Sequence, residues 1–279
     1  MKKPFRLLST PYIVWLVVLA LIPIFVMLLL SVSITEGLDF SNYEFNSSFY
    51  QAFFERSIMT AFLNSIYYAV ITTVVSLLLG YMVAYTVFRS KFKNKFLVLA
   101  VFILPMWSNL LLRTESLGNL MNENNLITNI LSNLLNTTIT FPVIKGSGLA
   151  VIIGLVLTYL PFMILPIYTA LEKIDYSLEE AALDLGLTDF QKFVKVVLPL
   201  SLKGVATGSI LVFLPAMSGF AIPEILGNGN ILLIGNIIEQ AFRYMDYNLG
   251  SLLSIMILLI IFLGIFVVSK VDKEGETLL

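Results

Sequence analysis

The sequence predicts an all-α membrane protein, a single domain over residues 1–279 with six transmembrane helices. Three observations carry that expectation. Apolar residues make up 58% of the chain and charged ones only 13%, against about 25% charged in soluble domains, so too few polar groups exist to cover a water-facing surface. Six runs contain no charged residue and suit a hydrocarbon core about 30 Å thick. Lysine and arginine alternate between rich and poor connections, as they do when basic loops are retained on the cytoplasmic side. The same composition narrows the chemistry. Cysteine and histidine are absent, which excludes disulfides, thiol nucleophiles, imidazole bases and Cys/His zinc sites. No catalytic residue and no metal ligand set is expected, and a net charge of −1 offers no basic surface to nucleic acid.

The charge-free runs are Leu7–Thr35, Ser57–Phe88, Phe96–Leu112, Gly146–Leu171, Gly204–Pro223 and Tyr247–Ser269, and they place spans at about 12–33, 61–88, 96–115, 148–171, 203–223 and 247–269. The first is 29 residues long, longer than a signal-peptide core and without a small-residue cleavage site, so it is read as a retained helix. The third is the shortest and is extended past Arg113, whose guanidinium must snorkel or face protein, with Glu115 or Glu123 as its expected partner. A further uncharged run, Asn124–Ile144, is half polar and stays outside the lipid. There Ile127, Ile130, Leu131, Leu134 and Leu135 follow helical spacing and predict a short amphipathic helix. Counting connections alternately, 13 Lys and Arg fall on one side and four, Arg56, Arg113, Lys145 and Arg243, on the other. Both termini and the loop 172–202 are therefore expected in the cytoplasm, and the tail from Lys270 is expected to fray. The outer connections carry nine acids against four bases. That excess suits a cationic solute, and equally follows from the exclusion of Lys and Arg alone.

The loop 172–202 encodes two short helices. Ser177 with Glu180 and Thr188 with Gln191 each have capping-box spacing. Gly186 suits the left-handed turn at a helix end, and Pro199 suits the first turn of the next helix. Leu178 and Leu185 form an apolar stripe beside Glu179, Glu180 and Asp184, while Ala181 and Ala182 leave a low surface. By chemistry alone this is either a docking face or an ordinary cover over the helix ends.

Glu180-Ala181-Ala182, Gly186, Val196 and Leu198-Pro199 resemble, at matching spacing, the EAA signature of the permease subunits of ABC importers, with valine where isoleucine is usual. The resemblance implies a type I importer (MetI-like) permease fold in which this loop is the coupling helix that seats in an ATPase subunit. The segments 104–113, 160–168, 213–220 and 231–236 resemble the B-type permeases of spermidine/putrescine importers, although Ser218-Gly219-Phe220 departs from their pattern. What this implies is a bacterial plasma-membrane subunit that forms half of a polyamine pathway and has no cofactor of its own. ATP and Mg would be bound by two partner ATPase subunits, since the chain lacks a Gly-x-x-x-x-Gly-Lys-[Ser/Thr] loop. A paralogous permease and an extracytoplasmic polyamine-binding protein complete the implied assembly. For a charged amine, Trp107, Asn109, Glu115, Tyr159, Phe220 and Glu224 are the candidate path residues, because acids and aromatic faces near span ends can replace water around an ammonium group. Trp107 could equally be an interfacial anchor, and Glu224 or Glu239 a contact for the binding protein. An importer of another solute (a sugar, phosphate or metal complex) and a gradient-driven carrier remain the alternatives, the latter lacking intramembrane ionisable relays.

Overall fold

The computed structural model describes residues 3–36, 39–45, 49–123, 125–135, 137, 140 and 142–271. In chain order they form α1 (Lys3–Ser31), a hairpin of β1 (Ser33–Glu36) and β2 (Asp39–Phe45), α2 (Phe49–Ala52), α3 (Arg56–Arg89), α4 (Lys95–Ile103), a 3₁₀ turn (Leu104–Trp107), α5 (Leu110–Leu120) and α6 (Leu126–Leu135). Then follow α7 (Gly148–Glu172), α8 (Tyr176–Asp184), α9 (Asp189–Lys192), a π turn (Phe193–Val197), α10 (Leu198–Ser218), α11 (Ala221–Gly227), α12 (Ile234–Arg243) and α13 (Tyr247–Val271). Residues 1–61 with 237–262, and 62–236 with 263–279, make two compact units.

In the first unit, α1 exposes apolar side chains along nearly its whole described length, Trp15 at 66% among them, which is the pattern of a helix that lipid covers. Its end is tied down by Asn248 at the start of α13. The Asn248 amide donates to the carbonyl of Leu30 (2.9 Å), a group that the end of a helix leaves without a partner, and to that of Ser33 (2.6 Å), the first residue of β1. The antiparallel hairpin pairs Ser33 with Phe45 and Glu36 with Asp39. No sequence signal had predicted it, because its short, polar strands carry little alternation.

In the second unit, α7 and α10 make the most extensive helix contact. A Cβ on Gly204 would lie 2.5 Å from the Pro166 carbonyl oxygen and 2.6 Å from the Ala170 Cβ, so only glycine admits this approach. Around the contact, Ala84 and Val87 of α3, Leu99 of α4, Met163, Ile164, Ile167 and Leu171 of α7, Val197 and Val212 form one buried cluster.

Five helices have the length and composition to cross a membrane, Thr10–Ser31, Arg56–Arg89, Gly148–Glu172, Asp189–Ser218 and Tyr247–Phe266. The third expected span is different. Lys95–Trp107 and Leu110–Leu120 meet at 94°, so 96–115 is a bent pair and not a straight helix. Pro105 supplies no amide hydrogen, Ser108 is extended (φ −78°, ψ 155°), and the Asn109 side chain opens a new helix by accepting from the amides of Leu111 (2.9 Å) and Leu112 (3.2 Å). The fifth expected span, 203–223, is also corrected. Its helix begins at Asp189, ends at Ser218, and breaks at Gly219, which is extended (ψ 144°), before α11. The amphipathic helix of the polar run is found as α6. The tail expected to fray lies, from Asp272 onward, outside the described residues.

The Gly204 contact predicts that Gly204→Val separates α7 from α10. Overpacking of this kind costs about 1–3 kcal/mol, so the detergent-solubilised variant should unfold at a temperature several degrees lower while still inserting. An unchanged thermal midpoint would show that the contact is slack.

Candidate functional site

The loop between α7 and α10 is built from local capping. The Asp175 carboxylate accepts from the Ser177 amide (2.9 Å) and caps α8. This corrects the expected box of Ser177 with Glu180. The helix starts one residue before Ser177, and an ionised carboxylate at an N-cap is the stronger acceptor. Gly186 closes the helix at φ +82° with nothing within 4 Å of a built Cβ, so its requirement is conformational and not steric. The expected box of Thr188 with Gln191 is present in both directions, at 3.3 and 3.1 Å. A π turn then leads into α10, with Leu198 and Pro199 in its first turn.

α8 has two chemical faces. Glu180 and Ala181 are exposed, as are Leu178 at 48% and Leu185 at 83%, whereas Ala182 is turned inward at 5%. Ala182 is thus a packing residue and not part of the low outer surface expected of it. Glu179, assigned to the outer face by the sequence, is buried at 1%. It forms an ion pair with Arg89, the last residue of α3, and lies 3.8 Å from the Lys192 ammonium of α9, which also binds Asp189 at 2.9 Å. Its Oε1 is buried without a protein hydrogen-bond donor. Removing one partner of such a pair typically costs about 3–5 kcal/mol, because a buried charge is left behind. Arg89 is itself held by its own helix. Its guanidinium lies over the rings of Tyr85 (5.4 Å) and Phe88 (5.2 Å), and its Nε donates to the Tyr85 hydroxyl (3.3 Å). Phe193 of the π turn meets Tyr81 and Tyr85 edge-on at 5.7 and 5.1 Å, and the Tyr81 and Ser201 hydroxyls are 2.8 Å apart. Beside this loop, a groove of about 630 Å³ opens between α7 and α10, lined by Pro166, Lys173, Leu178, Lys203 and Leu211 among others.

The path candidates gather only in part. Trp107 is 84% exposed at the break between the 3₁₀ turn and α5. Asn109 serves as that helix's cap. Arg113 turns back to donate to the Pro105 carbonyl, which also accepts from the Ser108 amide and hydroxyl. Glu115 instead faces Lys145 at 3.7 Å, so the expected Arg113 to Glu115 pair does not form. Tyr159 of α7 donates to the Pro215 carbonyl (3.4 Å), next to the break that Gly219 and Phe220 make. α11 packs on both α5 and α7, which brings the two helix breaks into one half of the unit. Phe220 is 45% exposed, and Asn236, not among the candidates, organises its surroundings. The Asn236 amide donates to the Phe220 carbonyl and to Glu224 Oε2, both at 3.0 Å, while its Oδ1 accepts from the Leu233 amide at 3.1 Å. A buried asparagine, at 1% exposure, carries no periodic signal, and only its place in the 231–236 segment hinted at a role. Among the described residues no three His, Cys, Asp or Glu side chains converge as a metal site.

Residues 76–272 match the family of the binding-protein-dependent transport system inner membrane component. The chain belongs to this family. The matched region takes in the α8–α9 loop and both helix breaks, so the elements described above are the family's own territory. Among curated relatives, the spermidine/putrescine transport system permease protein PotB of Haemophilus influenzae is 39% identical over 179 residues, 63% of this chain and 62% of that one. The chain thus spans about 62% of that relative's length. Two solved structures share the fold at low identity. A bacterial ABC transporter that imports the acidic polysaccharide alginate has a TM-score of 0.75 at 13% identity, covering 98% of this chain and 96% of that one. The alginate transporter in complex with alginate pentasaccharide-bound periplasmic protein has 0.74 at 14%, covering 95% and 92%. The family is a membrane one, in accord with the apolar helices, and this fold is the MetI-like permease fold expected from the loop signature.

The Asp175 carboxyl is held below the usual carboxylate range by hydrogen bonds from the Ser177 amide and then its hydroxyl. It binds a proton less readily folded than unfolded, so its stabilisation is fully present above the unfolded value of about 4 and is lost as the pH falls through the lower folded value. Amide exchange in α8, corrected for intrinsic rate, should therefore keep one protection level from about pH 6 to 8 and lose it only as the pH falls below the unfolded value. Asp175→Ala should speed exchange in the first turn of α8 several-fold at neutral pH and Ser177→Ala should not; the reverse order would restore Ser177 as the cap.

Proposed function

We propose that the chain is a transmembrane permease subunit of an ATP-driven importer of spermidine and putrescine, forming half of the pathway beside a paralogous permease. The observation that carries the proposal is an outward apolar and acidic face on α8, with Glu180 exposed and Gly186 at its turn, in a chain 39% identical over its matched region to a polyamine permease. The basic connections put α8 in the cytoplasm by the positive-inside rule. There it meets one of two ATPase subunits that bind ATP and Mg, while the opposite side receives an extracytoplasmic polyamine-binding protein. The periplasmic protein bound to the alginate transporter is a precedent for that arrangement.

A cationic cargo fits the two helix breaks. The carbonyls of Pro105 and Pro215 stand at or beside them, already engaged by Arg113 and Tyr159. Exposed Trp107 and Phe220 offer ring faces that attract ammonium groups. An inside-negative potential contributes about 2.3 kcal/mol per charge per 100 mV toward entry, and ATP supplies the directionality. Glu224 is an acid near the Gly219 break, with one oxygen accepting from the Asn236 amide.

The test is uptake of radiolabelled spermidine and putrescine by proteoliposomes holding the chain with its partner subunits. ATP-dependent uptake, each polyamine competing with the other, is expected. Hydrolysis stimulated by another solute without polyamine uptake would overturn the substrate. Glu224→Gln should raise the polyamine concentration for half-maximal uptake several-fold at unchanged maximal rate; unchanged kinetics would remove Glu224 from the path.

A further inference from the structure

We infer that the Arg89–Glu179 pair, a buried carboxylate held by a half-buried guanidinium, is a mechanical strut that makes α3 follow α8, and that Arg89 and Glu179 are positioning residues for coupling. The inference rests on the proposed docking of α8 to an ATPase subunit. α8 is joined by chain to α7 and α10, so displacement of the loop reaches those two helices directly. α3 has no such connection, and its attachment to the loop is entirely through side chains.

Four features suit these side chains to carrying movement. Glu179 has 2% side-chain exposure, so water does not compete for it as it does at surface pairs. Arg89 is braced against Tyr85 and Phe88 within its own helix, so its guanidinium has little freedom relative to α3. Lys192 adds a second cation on the α9 side of the same carboxylate, which fixes Glu179 between two elements. Phe193, packed on Tyr81 and Tyr85, gives a second, apolar point of attachment one turn away. An ion pair with a fixed geometry resists both separation and sliding, whereas apolar packing alone resists sliding weakly. The neighbouring Glu180 points outward, so one helix turn presents a carboxylate to a partner and another to its own membrane helix. Neutralising Glu179 removes no side chain of the outward face and leaves Gly186 in place. The partner can still dock, but α3 is no longer obliged to move with it.

The experiment compares the complete transporter carrying wild-type chain, Glu179→Gln, Arg89→Gln, and the charge-conserving Arg89→Lys, which keeps Glu179 between two cations. Solute taken up per ATP hydrolysed and ATPase retained on co-purification are both measured. Glu179→Gln and Arg89→Gln should retain the ATPase and lose roughly tenfold in uptake per ATP, within the range seen for mutations that weaken coupling, and Arg89→Lys should keep a large part of it. A wild-type ratio in Glu179→Gln or Arg89→Gln would overturn the strut. So would loss of co-purification in those two variants, which would make the pair a folding element only. Amide exchange of the isolated chain separates this proposal from the transport reading. Glu179→Gln should loosen the amides of α8 and α9 whatever solute is carried, and unchanged protection there would sink the strut even if polyamine uptake is found. Absence of any ATP-coupled uptake by the wild type, with α8 loosened as expected, would instead sink the transport reading.

Discussion

The close approach of α7 and α10 at Gly204 is the contact on which the remainder of the second unit depends. Because Gly204 has no Cβ to meet the Pro166 carbonyl and Ala170, the two helices lie together along much of their length. Their connection must then be a compact loop at one end. At the other end the same pair brings Tyr159 of α7 onto Pro215 of α10, beside the break at Gly219. A single packing decision thus sets both the face presented by α8 and the place where α10 stops being a helix.

Two interruptions of helix in a chain of this composition need physical support, since backbone groups without partners are costly in hydrocarbon. The first is satisfied by donors crowding on the Pro105 carbonyl, Arg113 among them. The second is satisfied by the amide of Asn236, which takes the Phe220 carbonyl and reaches Glu224. These side chains leave neither break with its carbonyl unpartnered. The alginate transporter shares the fold at 13% identity, and a shared fold does not carry a shared cargo.

Much of this was legible beforehand, and the exceptions follow a pattern. Four spans, α6, the Gly186 turn, the Thr188 box and Pro199 at the head of α10 all rest on local rules, which depend on a few consecutive residues. Reading failed where a partner distant in sequence decides the outcome. Glu179 looks like a surface acid until Arg89, 90 residues away, is brought beneath it. Ala182 looks like part of a smooth outer face until α8 is laid on the protein. Asp175 was passed over for Ser177 because two plausible caps stand two residues apart, and pattern alone does not say where the first turn begins. The bend in the third span was written in Pro105 and Asn109. Its sharpness, and not the break itself, escaped the reading, because a charge-free run records hydrophobicity and not direction.

If the pair is a strut, α8 and the end of α3 are one rigid piece. Because the chain contains no cysteine, Ser90→Cys and Tyr176→Cys, the latter exposed at the start of α8 and outside its docking residues, can be introduced as a clean pair, spin-labelled, and their separation followed by pulsed dipolar spectroscopy in the assembled transporter. The prediction is one narrow distance distribution that stays in place with and without nucleotide. A distribution that broadens, or shifts when ATP binds, would show α8 moving over α3 and would contradict the account.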